Sequence, residues 1–500
     1  MLNENHSAQS VTQDQDRGAT GSAFENRRLW CKRTRSLPLV PLIGSAHRAR
    51  RWVLAAAPLL AFLLFSAISA SGQSAVITDP APSNEDRTAQ SLYEEANSYA
   101  SKKFQEFYRR DLPYDARLEA KIRQEQLALA SRYARLLESR STLLTNDFYY
   151  AGLLEHIAGN SDKALDYISR FLKTGPEGLS AQTARTVFVV HAVKKDSTRE
   201  AEKVVEIYKQ HEPQNYEELF GMERLLCEAF KKAKAYDRVA VHARGMMRTA
   251  QLASAAKKIG NPKRDEMFMA AASLLAEAHE ESGRKPKAVR ALEELRQLAI
   301  NLPSGNLYRL ASRRLAVMDP IGEMRKSLPE PAGESSPPEI IAAQWIEQKP
   351  VKLPDLIGQV VLLDFWAPWC GPCRFTLPRL QRWHETYKGQ GLVILGLTGY
   401  SGEAEGKQLT KEEELAYLRD FKKRNRLPYG FVVADSSIND VNYGVSSIPM
   451  SFLIDRRGAI RFISVGATED EISALGTMIK KLLDEPAETR DLERRTGGVQ

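Results

Sequence analysis

Cys370 and Cys373 stand three positions apart in the run Trp369-Cys370-Gly371-Pro372-Cys373, and that spacing can do redox chemistry. Two cysteines separated by two residues at the start of a helix can close a small disulfide. A thiol at a helix N-terminus faces unpaired N–H groups and the positive end of the helix dipole, which favour the thiolate. Such a thiolate, here on Cys370, attacks a substrate disulfide and forms a mixed disulfide. The second thiol, on Cys373, attacks that intermediate and releases the reduced product. The same pair could be half of a zinc site. The region around it offers no second Cys-x-x-Cys and no Cys–His pair, so neither a metal nor a cofactor is expected. The chain holds two further cysteines, Cys31 and Cys227; so few in 500 residues exclude the disulfide framework of a small secreted scaffold.

The elements that must position this pair are legible in the hydrophobic pattern. Gln359–Trp366 reads as a buried strand and Cys370 to about Lys388 as the helix after it. Leu392–Leu397 is a second buried strand, Lys411 to Asn425 a helix and Gly430–Ala434 a strand. Met450–Asp455 and Ala459–Val465 read as a hairpin across Arg456-Arg457-Gly458, with Glu469 to Leu483 as a closing helix. Strand–helix–strand first, then a hairpin and a helix, predicts an α/β three-layer domain over 339–485.

The segment Trp-Ala-Pro-Trp-Cys-Gly-Pro-Cys resembles thioredoxin, and its neighbours extend the likeness. Asp364 lies six residues before Cys370, where thioredoxins bury an acid that helps deprotonate the resolving cysteine. Pro378 lies five residues after Cys373, where the family's first long helix kinks. Downstream, Gly-Val-Ser-Ser-Ile-Pro-Met-Ser-Phe-Leu-Ile-Asp carries a second signature. The resemblance implies a cis Ile448–Pro449 bond beside the disulfide, presenting backbone to substrate. It also implies a substrate groove shaped by Trp369, Gly371, Pro372, Ile448 and Pro449. The run from Pro350 to Cys370, the helix around Lys411 to Asn425 and the Pro449 segment are similar to the TlpA/ResA group. That group is exported, membrane-tethered and typically reducing, and draws electrons from a membrane donor of the DsbD/CcdA kind. Two positions depart from it: Thr376 stands where many members carry Glu, and Gly371-Pro372 is thioredoxin's own pair. Thioredoxin's potential lies near about −270 mV against about −120 mV for DsbA, which favours reduction of protein disulfides. A peroxiredoxin-like antioxidant would show Thr three residues before its reactive cysteine; Ala367 stands there.

Upstream, residues 88–318 are rich in Leu, Ala, Glu, Lys and Arg at three- and four-residue apolar spacing, which predicts an all-α region. Gly152, Ala164 and Pro176 recur twelve apart, as do Val189, Ala201 and Pro213, and Ala276, Ala288 and Ile300; a poorer copy centres on Cys227 and Val239. Small residues where paired helices meet, Gly at the turn (Gly159, Gly283) and Pro after the second helix resemble the tetratricopeptide repeat. Such an array would bind a protein partner or space the C-terminal domain from a membrane. If the redox pair were vestigial, the array would make the chain a scaffold. Cys227 on a helix face reads as a buried core thiol.

The net charge of +8 is concentrated at one end: residues 1–51 hold nine Lys and Arg against four acidic residues. The basicity therefore belongs to a tail that reads as disordered, with Cys31 in it, and a nucleic-acid function is not expected. Trp52 to Ala70 carries no charge and follows Arg48, Arg50 and Arg51. It reads as a spanning anchor or as a signal sequence. Either way its basic flank places residues 1–51 in the cytoplasm and the bulk outside it, anchored or released to the periplasm. Polar linkers are expected at 71–87 and 319–338, and a polar tail at 486–500.

Overall fold

The computed structural model describes residues 87–110, 112–113, 115–320 and 337–486. The expected tail at 1–51 with Cys31, the apolar segment 52–70, the first linker up to residue 86, residues 321–336 of the second and the tail from 487 lie outside the described residues. Among the described residues no helix is long and apolar enough to cross a membrane.

An all-helical region comes first, and an α/β domain follows. The helices are α1 (Ala89–Arg109), α2 (Ala116–Glu138), α3 (Thr145–Ala158), α4 (Ser161–Leu172), α5 (Gly178–Lys194), α6 (Thr198–Lys209), α7 (Tyr216–Lys232), α8 (Tyr236–Ala255), α9 (Asn261–Glu281), α10 (Lys285–Asn301) and α11 (Gly305–Met318). Consecutive helices turn back where one residue enters the left-handed region: Gly159 after α3, Asp196 after α5 and Gly283 after α9. The twelve-residue spacing has a packing reason. Gly152 on α3 faces Ile168 on α4, and a Cβ there would lie 2.6 Å from Ile168 Cγ1. Ala164, Ala201, Ala276 and Ala288 are fully buried at the equivalent places.

The chain divides into two compact units between Ala229 and Phe230. Composition breaks at 319–338, but packing breaks earlier, because α10 and α11 lie against the sheet of the second unit. In the first unit the core gathers Leu92, Ala96, Tyr133, Leu137 and Leu154.

The α/β domain contains β1 (Gln344–Ile346), β2 (Val360–Phe365), α12 (Gly371–Tyr387), β3 (Leu392–Gly399), β4 (Glu403–Ala404), β5 (Lys407–Gln408), α13 (Lys411–Arg424), β6 (Gly430–Ala434), α14 (Ile438–Asn442), β7 (Met450–Ile454), β8 (Ile460–Val465) and α15 (Glu469–Asp484). Six strands form one sheet in the order β1-β6-β3-β2-β7-β8. β2, β3 and β6 run parallel; β1, β7 and β8 join antiparallel. Every residue of β2 is buried, as a strand with neighbours on both edges and helices layered on the sheet requires. α12 and α15 pack together, while α13 lays Phe421 against Trp366. Gly396 on β3 leaves room for Trp366, whose Nε1 would be 2.9 Å from a Cβ at that position. The short edge strand β1 and the β4–β5 hairpin have no counterpart in the sequence expectations; at two or three residues, too little periodicity is present to read.

Gly152→Val would overpack the α3–α4 contact, and the loss should be about 1–3 kcal/mol in stability. Urea unfolding of the variant against the parent measures it; an unchanged midpoint would mean the two helices can part without cost.

Candidate active site

β2 ends at Phe365, a tight turn follows, and α12 begins at Gly371 with Cys370 as its N-cap. Cys370 Sγ accepts a hydrogen bond from the Cys373 N–H at 3.2 Å. A sulfur in this place occupies the position that Ser or Asp takes at an ordinary helix start, where the first N–H groups have no partner in the helix. Pro372 in the first turn has no N–H to leave unpaired. Cys370 and Cys373 are joined as a disulfide with Cα atoms 5.2 Å apart. Cys370 keeps 5% of its surface exposed and Cys373 none. The outer sulfur is therefore the one an incoming thiol can reach. Trp369 projects beside it at 65% exposure, and Gly371 and Pro372 are also exposed.

Asp364 sits on β2 in register with Gly396 on β3 and Ser451 on β7. It is buried, and the Ser451 hydroxyl donates to its Oδ1 at 2.7 Å. Its Oδ2 has no hydrogen-bond partner among the described residues. Burial pushes the Asp364 carboxyl up to about 6, with the Ser451 hydrogen bond pulling the other way. A carboxyl so placed holds or gives up its proton near neutral pH. Ser451 is in turn in register with Ser464 on β8. Asp364, Thr376, Arg379, Pro449, Ser451 and Ser464 line one small cavity.

The Ile448–Pro449 bond is cis, and the Pro449 carbonyl accepts a hydrogen bond from the Gly466 N–H at 3.0 Å. Pro449 is buried and Ile448 half-buried. Pro378 lies inside α12. Thr376 is buried, and its hydroxyl donates to the Cys373 carbonyl at 2.8 Å. Its hydroxyl is thus turned back onto its own helix, and it carries no charge into the cavity. Cys227 lies on α7, in the first unit; it is buried, and burial pushes its thiol well up, which disfavours the thiolate.

The structure thus brings Cys370, Cys373, Asp364 and Pro449 to one end of the sheet. Sequence reading alone passed over Ser451 and Ser464. Both interrupt otherwise apolar strands, Met-Ser-Phe-Leu-Ile and Ile-Arg-Phe-Ile-Ser-Val, and are buried. A buried hydroxyl in such a run is the signal that a polar partner waits across the sheet.

Residues 338–463 match the AhpC/TSA family. The sporulation thiol-disulfide oxidoreductase A of Bacillus subtilis (strain 168) is 26% identical over 129 residues, 26% of this chain and 72% of that protein. A thiol-disulfide oxidoreductase ResA of Bacillus cereus is 30% identical over 115 residues, 23% of this chain and 60% of the relative. The chain thus spans less than two thirds of the length of that ResA. The solved structure of StoA from Bacillus subtilis is 24% identical, covers 28% of this chain and 97% of that one, and has a TM-score of 0.23. A redox pair capping a helix on a β-α-β frame, within residues that match the AhpC/TSA family model, makes 338–463 a thioredoxin-like thiol-disulfide oxidoreductase domain.

Proposed function

We propose that the chain reduces protein disulfides outside the cytoplasm. The observation that carries this reading is the position of Cys370: it caps α12, it keeps the only exposed surface of the pair, and Cys373 lies sealed beneath it. In the reduced enzyme the Cys370 thiolate attacks one sulfur of a substrate disulfide, and the other sulfur leaves as a thiolate. The Cys373 thiol loses its proton and attacks Cys370 Sγ, which frees the second substrate thiol and closes the Cys370–Cys373 disulfide. Two electrons pass to the substrate in each cycle. Asp364 is the acceptor for the Cys373 proton, since its carboxylate and its acid are both accessible near pH 6. Trp369, Gly371 and Pro372 form one side of the groove, and Ile448 and Pro449 the other.

The apolar run 52–70 behind Arg48, Arg50 and Arg51 supports an extracytoplasmic placement. There the oxidised pair needs an external dithiol, and a membrane donor of the DsbD/CcdA kind would return two electrons to it. The helical region supplies a surface for a protein partner. Ala367 three residues before Cys370 speaks against peroxidase chemistry in this AhpC/TSA-family domain.

Insulin reduction should be catalysed by the parent protein and fall to the uncatalysed background in Cys370→Ser; equal rates for the two would overturn the reading. Cys373→Ala should accumulate a mixed disulfide through Cys370, seen as a mass increase that dithiothreitol reverses. Asp364→Asn should slow turnover about 10- to 100-fold at pH 7 and less at alkaline pH, where hydroxide can take the proton in its place. Its effect on stability has a defined sign. The folded carboxyl titrates at about 6, above the unfolded value of about 3.9. Below about pH 4 both states are neutral and burial carries no charge penalty. As pH rises through 6 the folded protein must hold a buried carboxylate, and stability is lost. Asp364→Asn should therefore gain up to about 3 kcal/mol at pH 8 and nothing at pH 4 in urea unfolding.

A further inference from the structure

The loop that carries the cis proline runs from Tyr443 to Met450, and α11 of the helical region holds it at three places. The first is the helix start. The Gly305 N–H donates to the Tyr443 carbonyl at 2.9 Å and the Asn306 N–H to the Gly444 carbonyl at 2.8 Å. Helix N-termini leave such N–H groups without a partner inside the helix; here the loop supplies the acceptors. The second is the far end of the loop. Gly305 packs on Met450, so closely that a Cβ would fall within 1.9 Å of the Met450 sulfur. Gly444 is as crowded from the other side: a Cβ there would lie 2.8 Å from Ser304 Oγ and 2.9 Å from Asp265 Oδ2. The third is a side chain. One guanidinium nitrogen of Arg309 donates to Ser447 Oγ at 2.6 Å and another to Ser446 Oγ at 2.8 Å. The Ser446 hydroxyl also meets Asn306 Oδ1.

Ser446 and Ser447 directly precede Ile448 and Pro449. Arg309 therefore fastens the segment that leads into the cis bond, with a planar, two-pronged donor that fixes two hydroxyls at once. Nothing in the Cys370–Cys373 chemistry requires this. A substrate that must lie along the Ile448–Pro449 backbone does require it, because a loop held in its binding conformation spares the cost of ordering it when substrate binds. We propose that Arg309 is a positioning residue for protein substrates and that α11 is a working part of the substrate groove, not a passive end of the helical region. The proposal rests on the reading of the domain as a protein-disulfide reductase. It separates two substrate classes: an extended polypeptide that pairs with the Pro449 loop depends on Arg309, whereas a small aromatic disulfide that meets only the sulfur depends on it little.

The test compares full-length parent, Arg309→Ala and the double variant Ser446→Ala/Ser447→Ala on insulin and on 5,5′-dithiobis(2-nitrobenzoate). Arg309→Ala should raise KM for insulin roughly tenfold, as the loop must then be ordered when substrate binds, with kcat within about twofold and the small disulfide reduced within about twofold of the parent rate. The exposed serine pair tolerates removal of its hydroxyls and should reproduce the same split. Adding Arg309→Ala to that pair should cost nothing further, since the three side chains act through one contact. Unchanged insulin KM, an equal loss on both substrates, or fully additive losses would each overturn the positioning role. A parent protein that reduces neither substrate would overturn the reductase reading beneath it, an outcome distinct from an active parent with an indifferent Arg309 variant.

Discussion

The unpaired N–H groups at the start of α12 are the interaction on which the site depends. They need an acceptor, and the chain provides the sulfur of Cys370. A thiol at such a position is favoured in its charged form, so the group that satisfies the helix start is also one that the helix start would make acidic. Cys373 sits one helical turn on, fully sealed and joined to Cys370 as a disulfide. The sheet fixes where α12 can begin. β2 is buried along its whole length and paired on both edges, so its C-terminal end cannot drift.

The same strand carries the second constraint. A carboxyl in the interior of a sheet is costly unless something offsets it, and Asp364 has one hydroxyl partner and one oxygen without any among the described residues. The balance is struck by raising its proton affinity to about 6. Stability given up at neutral pH leaves a group that can exchange a proton in the cavity it shares with Thr376 and Pro449, as functional sites commonly do. The Pro449 loop is held from outside the α/β domain, through Gly305, Asn306 and Arg309 of α11. Within the second unit, α11 and the α/β domain thus meet at the Pro449 loop.

The local parts of this arrangement were legible in sequence because each is written in a short window. Cys370, Cys373, Asp364 and Pro449 stand in runs of a dozen residues, and the strands and helices around them obey simple periodicity. Predicted ends fell within a residue or two: Lys411 to Asn425 became Lys411–Arg424, and Leu392–Leu397 lengthened to Leu392–Gly399. What could not be read are contacts between distant residues. Nothing near Arg309 announces that it will reach Ser446 and Ser447, more than 130 positions on. Nothing at Gly305 announces Met450. Those glycines look like ordinary helix punctuation until the loop that excludes a Cβ is seen against them. The same blindness set the sequence boundary at 319–338, where composition changes, and missed that α10 and α11 pack with the sheet.

The central claim is that the helix start makes Cys370 an acidic thiol while Cys373 stays protonated beneath it. Alkylation of the reduced protein with iodoacetamide across pH 5 to 10, with the two cysteines resolved by peptide mass, measures this directly. The account predicts that Cys370 reacts before Cys373, with a midpoint below the ordinary thiol value of about 8.5. A Cys370 midpoint at or above that value, or Cys373 reacting first, would contradict it.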